Sequence, residues 1–160
     1  MSLSIRPATP ADAGLVLALI RELADYERLL HEVEAGEADL AAALFGPQPR
    51  VFCDIADWEG EPVGFALWFY SFSTFRGRHG LYLEDLFVRP AGWGRGIGRA
   101  LLAGLARRCR EENLARLEWS VLDWNAPAID FYRTLGAEPC AGWTRFRLDG
   151  PALSDLGAPA

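Results

Sequence analysis

The chain has 160 residues, of which 51% are hydrophobic and 24% are charged, and its formal net charge is -6. This composition predicts one folded domain, which we place at residues 1–150, followed by a loosely held tail at residues 151–160. The acidic balance argues against a nucleic-acid partner. Apolar runs stay well below the roughly 18 residues of a membrane span, so we expect no membrane partner.

The cysteines and the first residues point to a cellular compartment. Cys53, Cys109 and Cys140 are odd in number and far apart, and they form neither a CxxC pair nor a Cys/His cluster. We therefore expect neither a disulfide framework nor a metal site. Arg6, Pro7 and Asp12 interrupt any leader-like apolar stretch. The sequence predicts a reduced, cytoplasmic protein.

Hydrophobic periodicity predicts alternating helices and strands. Predicted strands lie at residues 3–8, 51–57, 62–71, 80–88, 115–122 and 143–149. Predicted helices lie at residues 10–30, 37–45, 97–113 and 127–135. The strands at 51–57, 62–71 and 80–88 form an antiparallel meander. The fold class is therefore α/β (α+β), with a mixed central sheet and helices on both faces.

The most distinctive segment is "GWGRGIGRALLAGL", Gly92 to Leu105, in which four glycines precede an apolar-periodic helix. A helix start offers unpaired N–H groups to an anion, and glycines let the backbone approach it closely. The GxGxxG pattern of dinucleotide-binding loops fails because position 99 is Arg, and no GK[ST] phosphate loop follows. Two interpretations remain, a different phosphate carrier or a turn that binds nothing.

Other segments accompany this loop. Together with "IRPATPADAGLVLALIRELADYE", "YLEDLFV" and "EWSVLDWNAPAIDFYRTLGA", it resembles the GCN5-related N-acetyltransferases (GNAT), and within them the spermidine/spermine and thialysine acetyltransferase branch. The resemblance runs from about Ile5 to Asp149. It implies the GNAT fold and a loop whose N–H groups hold the pyrophosphate of acetyl-CoA. Trp93 stands where that family has Gln or Arg.

The resemblance also implies which residues bind acetyl-CoA. The backbone of one strand matches the segment that pairs with the pantetheine arm: Leu86, Phe87 and Val88. The loop and helix start match the pyrophosphate site: Gly94, Arg95, Gly96, Ile97, Gly98 and Arg99. A later segment matches contacts to the cofactor arm: Asn125, Pro127 and Ala128. Asn125 is also suited to cap the following helix.

Two adjacent acids, Glu84 and Asp85, interrupt an apolar strand. Period-two alternation places them on opposite faces, with Leu83 beside Asp85. At least one carboxylate then enters a partly dry layer. The alternative, a pair of surface acids on an edge strand, is less favoured because the strand is otherwise apolar. An alkylamine is almost entirely protonated near neutral pH and attacks a thioester only when neutral. By resemblance, Glu84 assists amine deprotonation.

Tyr132 matches the general acid that reprotonates the leaving thiolate, whereas its sequence context alone favours a packing role. Other positions match the acceptor pocket: Tyr26, Glu27, Glu84, Asp85, Trp119, Ser120 and Trp143. For Tyr26 and Glu27 an ordinary helix face is an equal alternative. The chain has Cys140, Ala141, Ser73 and Phe75 where the polyamine enzymes have acids and a tryptophan. Fewer carboxylates favour a shorter amine than spermine.

These features predict an acetyl-CoA-dependent N-acetyltransferase that acts on a small primary amine by direct attack in a ternary complex. The resemblance and the aromatic stretch "FALWFYSFSTF" also predict a homodimer. A covalent route is disfavoured because no Cys in these motifs stands beside a His base. Two alternatives remain: acetylation of a protein lysine or N-terminus, and a non-catalytic acyl-CoA-binding module.

Overall fold

A computed structural model describes residues 2–160. The chain divides into two compact units, one running to Leu122 and the other from Asp123 to Ala160. Each unit is built from elements that are consecutive in sequence.

The first unit contains one five-stranded sheet whose strand order follows the chain. The strands are β1 (Leu3–Pro7), β2 (Phe52–Trp58), β3 (Glu61–Ser73), β4 (Arg78–Val88) and β5 (Leu117–Trp119). The pairs from β1 to β4 are antiparallel, whereas β5 runs parallel to β4. The predicted meander and mixed sheet are therefore confirmed, although β5 is shorter than expected.

Three helices cover the two faces of this sheet: α1 (Ala13–Tyr26), α2 (Glu37–Phe45) and α3 (Ile97–Glu111). Val16 and Leu19 of α1 and Leu44 of α2 share a buried cluster with Phe65 of β3. Residues one position apart on a strand face opposite ways. Trp68, three positions after Phe65, accordingly faces the opposite side of the sheet. Arg108 of α3 packs over Trp68 there, with its guanidinium 4.7 Å from the ring centroid.

The second unit contains α4 (Ala126–Thr134) and α5 (Gly150–Leu156). The strand predicted at residues 143–149 is wrong, because this segment has no ladder partner among the described residues. An alternating pattern of side chains is not sufficient for a strand, since the backbone also needs a neighbouring strand with which to form hydrogen bonds. The tail, expected to be loosely held, contains all of α5 except its first residue, with Pro151 in the first turn of the helix and Gly157 as its C-cap.

A register shift in β4 corrects the expected alternation of its side chains. Asp85 pairs with Leu67, but Leu83 pairs with Trp68, so Glu84 is an extra residue in the strand. Such a bulge re-aims the side chains beyond it. Because Leu67 and Trp68 face opposite ways, Leu83 and Asp85 do too, and the prediction that they share a face is wrong.

Candidate active site

The glycine loop before α3 forms an open cradle. Gly94 and Gly96 both adopt φ 73°, the left-handed region that favours glycine. A Cβ atom added at either position would meet no heavy atom of the surrounding described residues within 4 Å. Gly96 is also the N-cap of α3, so the unpaired N–H groups of the first helical turn begin here. The loop has the shape and polarity of an anion site.

Two side chains anchor this loop to the sheet. The indole Nε1 of Trp93 donates a hydrogen bond of 2.7 Å to the carbonyl oxygen of Val88. The guanidinium of Arg95 lies 4.8 Å from the ring centroid of Trp58, at the end of β2. A cation over an indole face is electrostatically favourable. Trp58 was not predicted as a site residue, because only the fold brings it to the loop.

β4 has an open edge beside the loop. Its residues Leu81, Tyr82 and Leu83 pair with β5. From Glu84 to Val88, no strand in the described part of the chain pairs with β4 on that side. Backbone groups along such an edge are able to bind an extended ligand arm as an added strand. The predicted arm-binding residues Leu86, Phe87 and Val88 occupy this edge.

The paired acids of β4 differ in environment. Glu84 is exposed, whereas Asp85 is partly buried. Burial, reinforced by the charges of Glu84 and Glu27, raises the pKa of Asp85 to about 6. Burial also raises the pKa of Glu27, the C-cap residue of α1. The expectation that one carboxylate of the pair enters a drier layer is confirmed, and a cationic group would relieve the repulsion there.

Tyr26, which precedes Glu27 in the chain, contacts the glycine loop. It is the last residue of α1, and its ring lies 6.4 Å from that of Trp93 in an edge-to-face arrangement. Near the β4–β5 pairing, the hydroxyls of Tyr82 and Ser120 are 2.8 Å apart and hydrogen bonded. Trp119 is the last residue of β5. The structure thus brings Tyr26, the loop and the β4 edge into one region of the first unit.

The remaining predicted residues lie in the second unit. The side-chain oxygen of Asn125 accepts a hydrogen bond from the backbone N–H of Ala128 at 3.4 Å, which confirms the predicted cap of α4. Tyr132 lies on α4, with its ring 5.6 Å from that of Phe131. Trp143 lies outside any helix or strand and is 86% exposed. Their roles in catalysis stay predictions.

Comparisons with known proteins identify the family of the chain. The family model described as "Acetyltransferase (GNAT) family" matches residues 16–137, which include the glycine loop and both acids of β4. The chain belongs to the GNAT acetyltransferase family. Thialysine N-epsilon-acetyltransferase of Bos taurus is 40% identical over 95% of both chains. L-ornithine N5-acetyltransferase NATA1 of Arabidopsis thaliana is 30% identical over 95% of this chain and 86% of its own.

Solved structures give the same fold. An integron cassette protein from the mobile metagenome of V. cholerae superposes with a TM-score of 0.80 at 30% identity, covering 98% of each chain. The GNAT protein described here is an N-acetyltransferase, and its acetyl donor is acetyl-CoA. The open cradle at Gly94 and Gly96 and the unpaired edge of β4 fit the phosphates and the amide-bearing arm of that donor.

Across residues 2–160, no three His, Cys, Asp or Glu side chains group together as metal ligands. None of the helices described is both long enough and apolar enough to span a membrane.

Proposed function

We propose that this GNAT enzyme acetylates the terminal primary amine of a small molecule in the class of thialysine, ornithine and short diamines. The observation that carries the proposal is the acidic group of Glu27, Glu84 and Asp85, which flanks the open edge of β4. Because the charges of Glu84 and Glu27 both act on the carboxylate of Asp85, this site favours an ammonium group as its partner. The similarity to the thialysine and ornithine enzymes supports the same class of acceptor.

The different environments of the acids suggest separate roles. Asp85 and Glu27 lie in the drier part of the group, where they would bind the ammonium form of the substrate. Glu84 is exposed at the bulge, so it is able to pass a proton to solvent. Only the neutral amine attacks the thioester that bound acetyl-CoA supplies, and a carboxylate at this position assists its deprotonation.

We propose Tyr132 as the general acid for the departing thiolate. It lies on α4, seven residues after the capping Asn125, and by resemblance to the family it occupies the general-acid position. A tyrosine hydroxyl has an ordinary pKa near 10, which suits protonation of a thiolate. Asn125, Pro127 and Ala128, at the start of the same helix, would bind the cofactor arm.

The acceptor is shorter than spermine in this proposal. Ser73, which stands where polyamine enzymes have an acid, is buried and accepts a hydrogen bond of 3.2 Å from the backbone N–H of Arg76. It stabilises the β3–β4 turn and carries no charge to bind a second ammonium. Cys140 and Ala141 are likewise uncharged. A long polycation would therefore find too few spaced carboxylates.

The direct test is a panel of amines assayed with acetyl-CoA: thialysine, lysine, ornithine, 1,3-diaminopropane, spermidine and spermine, with a lysine peptide for comparison. We expect the amino acids and the short diamine to have the highest kcat/KM. Glu84→Gln should shift the rise of kcat/KM with pH to higher pH, because the variant no longer assists deprotonation. A best substrate of spermine or of peptide would contradict the proposed acceptor class.

We also propose that the enzyme is a homodimer in a reducing, cytoplasmic environment. Phe75 is fully exposed and Phe72 is 57% exposed around the β3–β4 turn, and such aromatic surface favours association. The described cysteines are all free, in agreement with reducing conditions. Light scattering at micromolar concentration tests the dimer, and a strictly monomeric mass would contradict it.

A further inference from the structure

Trp93 lies in the glycine loop at a position where the family pattern has Gln or Arg. Its side chain is 57% exposed, so burial in a core does not account for it. It makes two specific contacts instead, the hydrogen bond to the carbonyl oxygen of Val88 and the edge-to-face contact with Tyr26. Trp93 therefore touches both the end of the open β4 edge and the end of α1.

The middle of the loop depends on such side-chain anchors. Gly94 and Gly96 have no side chains of their own, and the space around their Cβ positions is open. Gly92, by contrast, is closely packed, since an added Cβ would lie 3.0 Å from both Ile97 and Val88. The loop is thus fixed at Gly92 and held further along by the side chains of Trp93 and Arg95.

The contact with Tyr26 leads from the loop to the acidic group. Tyr26 precedes Glu27, whose charge contributes to the raised pKa of Asp85. Trp93 therefore contacts the residue that precedes a proposed amine-binding carboxylate in the chain.

We infer that Trp93 is a positioning residue that couples acetyl-CoA binding at the loop to amine binding at the acidic group. A cofactor on the loop would hold Trp93 in its contacts with Val88 and Tyr26, so that Tyr26 and Glu27 stay ordered for the amine. The inference rests on the proposed function, because it requires the acidic group to bind the acceptor. Coupling of this kind is reciprocal, so the amine tightens cofactor binding by the same factor.

The test measures this coupling by calorimetry. Dissociation constants of the best amine are determined with and without saturating CoA, which lacks the acetyl group and prevents turnover. In the wild type, we expect the amine to bind about fivefold or more tightly with CoA present. Trp93→Leu and Tyr26→Leu should each reduce this ratio to nearly one. The double variant should show no further loss, because both substitutions break the same contact.

Arg95→Gln is the matched control. It removes the other anchor of the loop, the contact with Trp58, but leaves Trp93 and Tyr26 unchanged. It should weaken CoA binding and keep the wild-type ratio. Since Trp93 and Tyr26 are both exposed by more than a third, their variants should fold, and their melting curves verify this.

The outcomes distinguish a failure of the coupling from a failure of the proposed function. A wild-type ratio near one, or a ratio that Trp93→Leu leaves unchanged, would overturn the coupling while amine acetylation stands. An equal loss of the ratio in Arg95→Gln would also overturn it, because any loosening of the loop would then suffice. If the wild type acetylates none of the small amines in the panel, the proposed function itself fails.

Discussion

Asp85 is expected to reduce the stability of the enzyme while it supports amine binding. In the folded chain its pKa is raised from 3.8 to about 6. Above pH 6, folding therefore places a charged carboxylate in a site that disfavours the charge. The shift of roughly two units corresponds to up to about 3 kcal/mol of lost stability at pH 7.5.

Asp85→Asn keeps the shape of the side chain and removes its charge. At pH 7.5 the variant should gain up to about 3 kcal/mol in free energy of unfolding, or roughly 6–12 °C in Tm. The destabilisation of the wild type fades as pH falls from 6 towards 3.8, since the folded state then holds the extra proton. At pH 5 the gain should be about half as large.

Urea denaturation at both pH values measures the gain, and kcat/KM for the best amine measures the cost. Loss of a charged hydrogen-bond partner for the ammonium should lower kcat/KM by roughly 10- to 100-fold. Asp155→Asn, which removes an exposed carboxylate, is the matched control and should change stability by less than about 0.5 kcal/mol. An equal gain at pH 5 and pH 7.5 would refute the titration argument.

Three further predictions concern the cofactor and the general acid. Gly96→Asp should weaken acetyl-CoA binding measured by calorimetry far more than Gly96→Ala does, because both variants strain the φ of 73° but only one adds a negative charge. Tyr132→Phe should keep cofactor affinity and lower kcat by roughly 10² or more in steady-state assays, and wild-type turnover would exclude the role. Trp58→Leu should raise KM for acetyl-CoA a few-fold but leave KM for acetyl-pantetheine unchanged, since Arg95 over this ring would contact only phosphate.

The sequence predicted correctly those helix ends that depend on residues directly beside them. α2 spans Glu37–Phe45, the predicted range, because Gly36 and Gly46 bound its apolar stretch. α3 begins at the predicted Ile97 for the same reason, since glycines precede it. Boundaries that depend on caps and glycines are visible in the sequence.

Features that depend on a distant partner were not visible. The bulge at Glu84 exists only in the register of β4 against β3, and the contact of Arg95 with Trp58 joins residues far apart in the chain. Sequence indicated that one acid of the pair would be buried, but the identity of that acid depended on the bulge. The family pattern named the positions of the site, and the fold shows why Asp85 and Glu84 differ.

The point at which β4 and β5 stop pairing limits how far an extended ligand arm is able to pair along β4. The open edge of β4 ends at Leu83, which pairs with Trp119 of β5. An extended arm that pairs with β4 therefore cannot advance beyond that residue. Glu84 is the first residue after the stop. In the proposed binding mode, backbone pairing would set the depth to which the arm enters, and the thioester end of the arm would stop beside the carboxylate of Glu84.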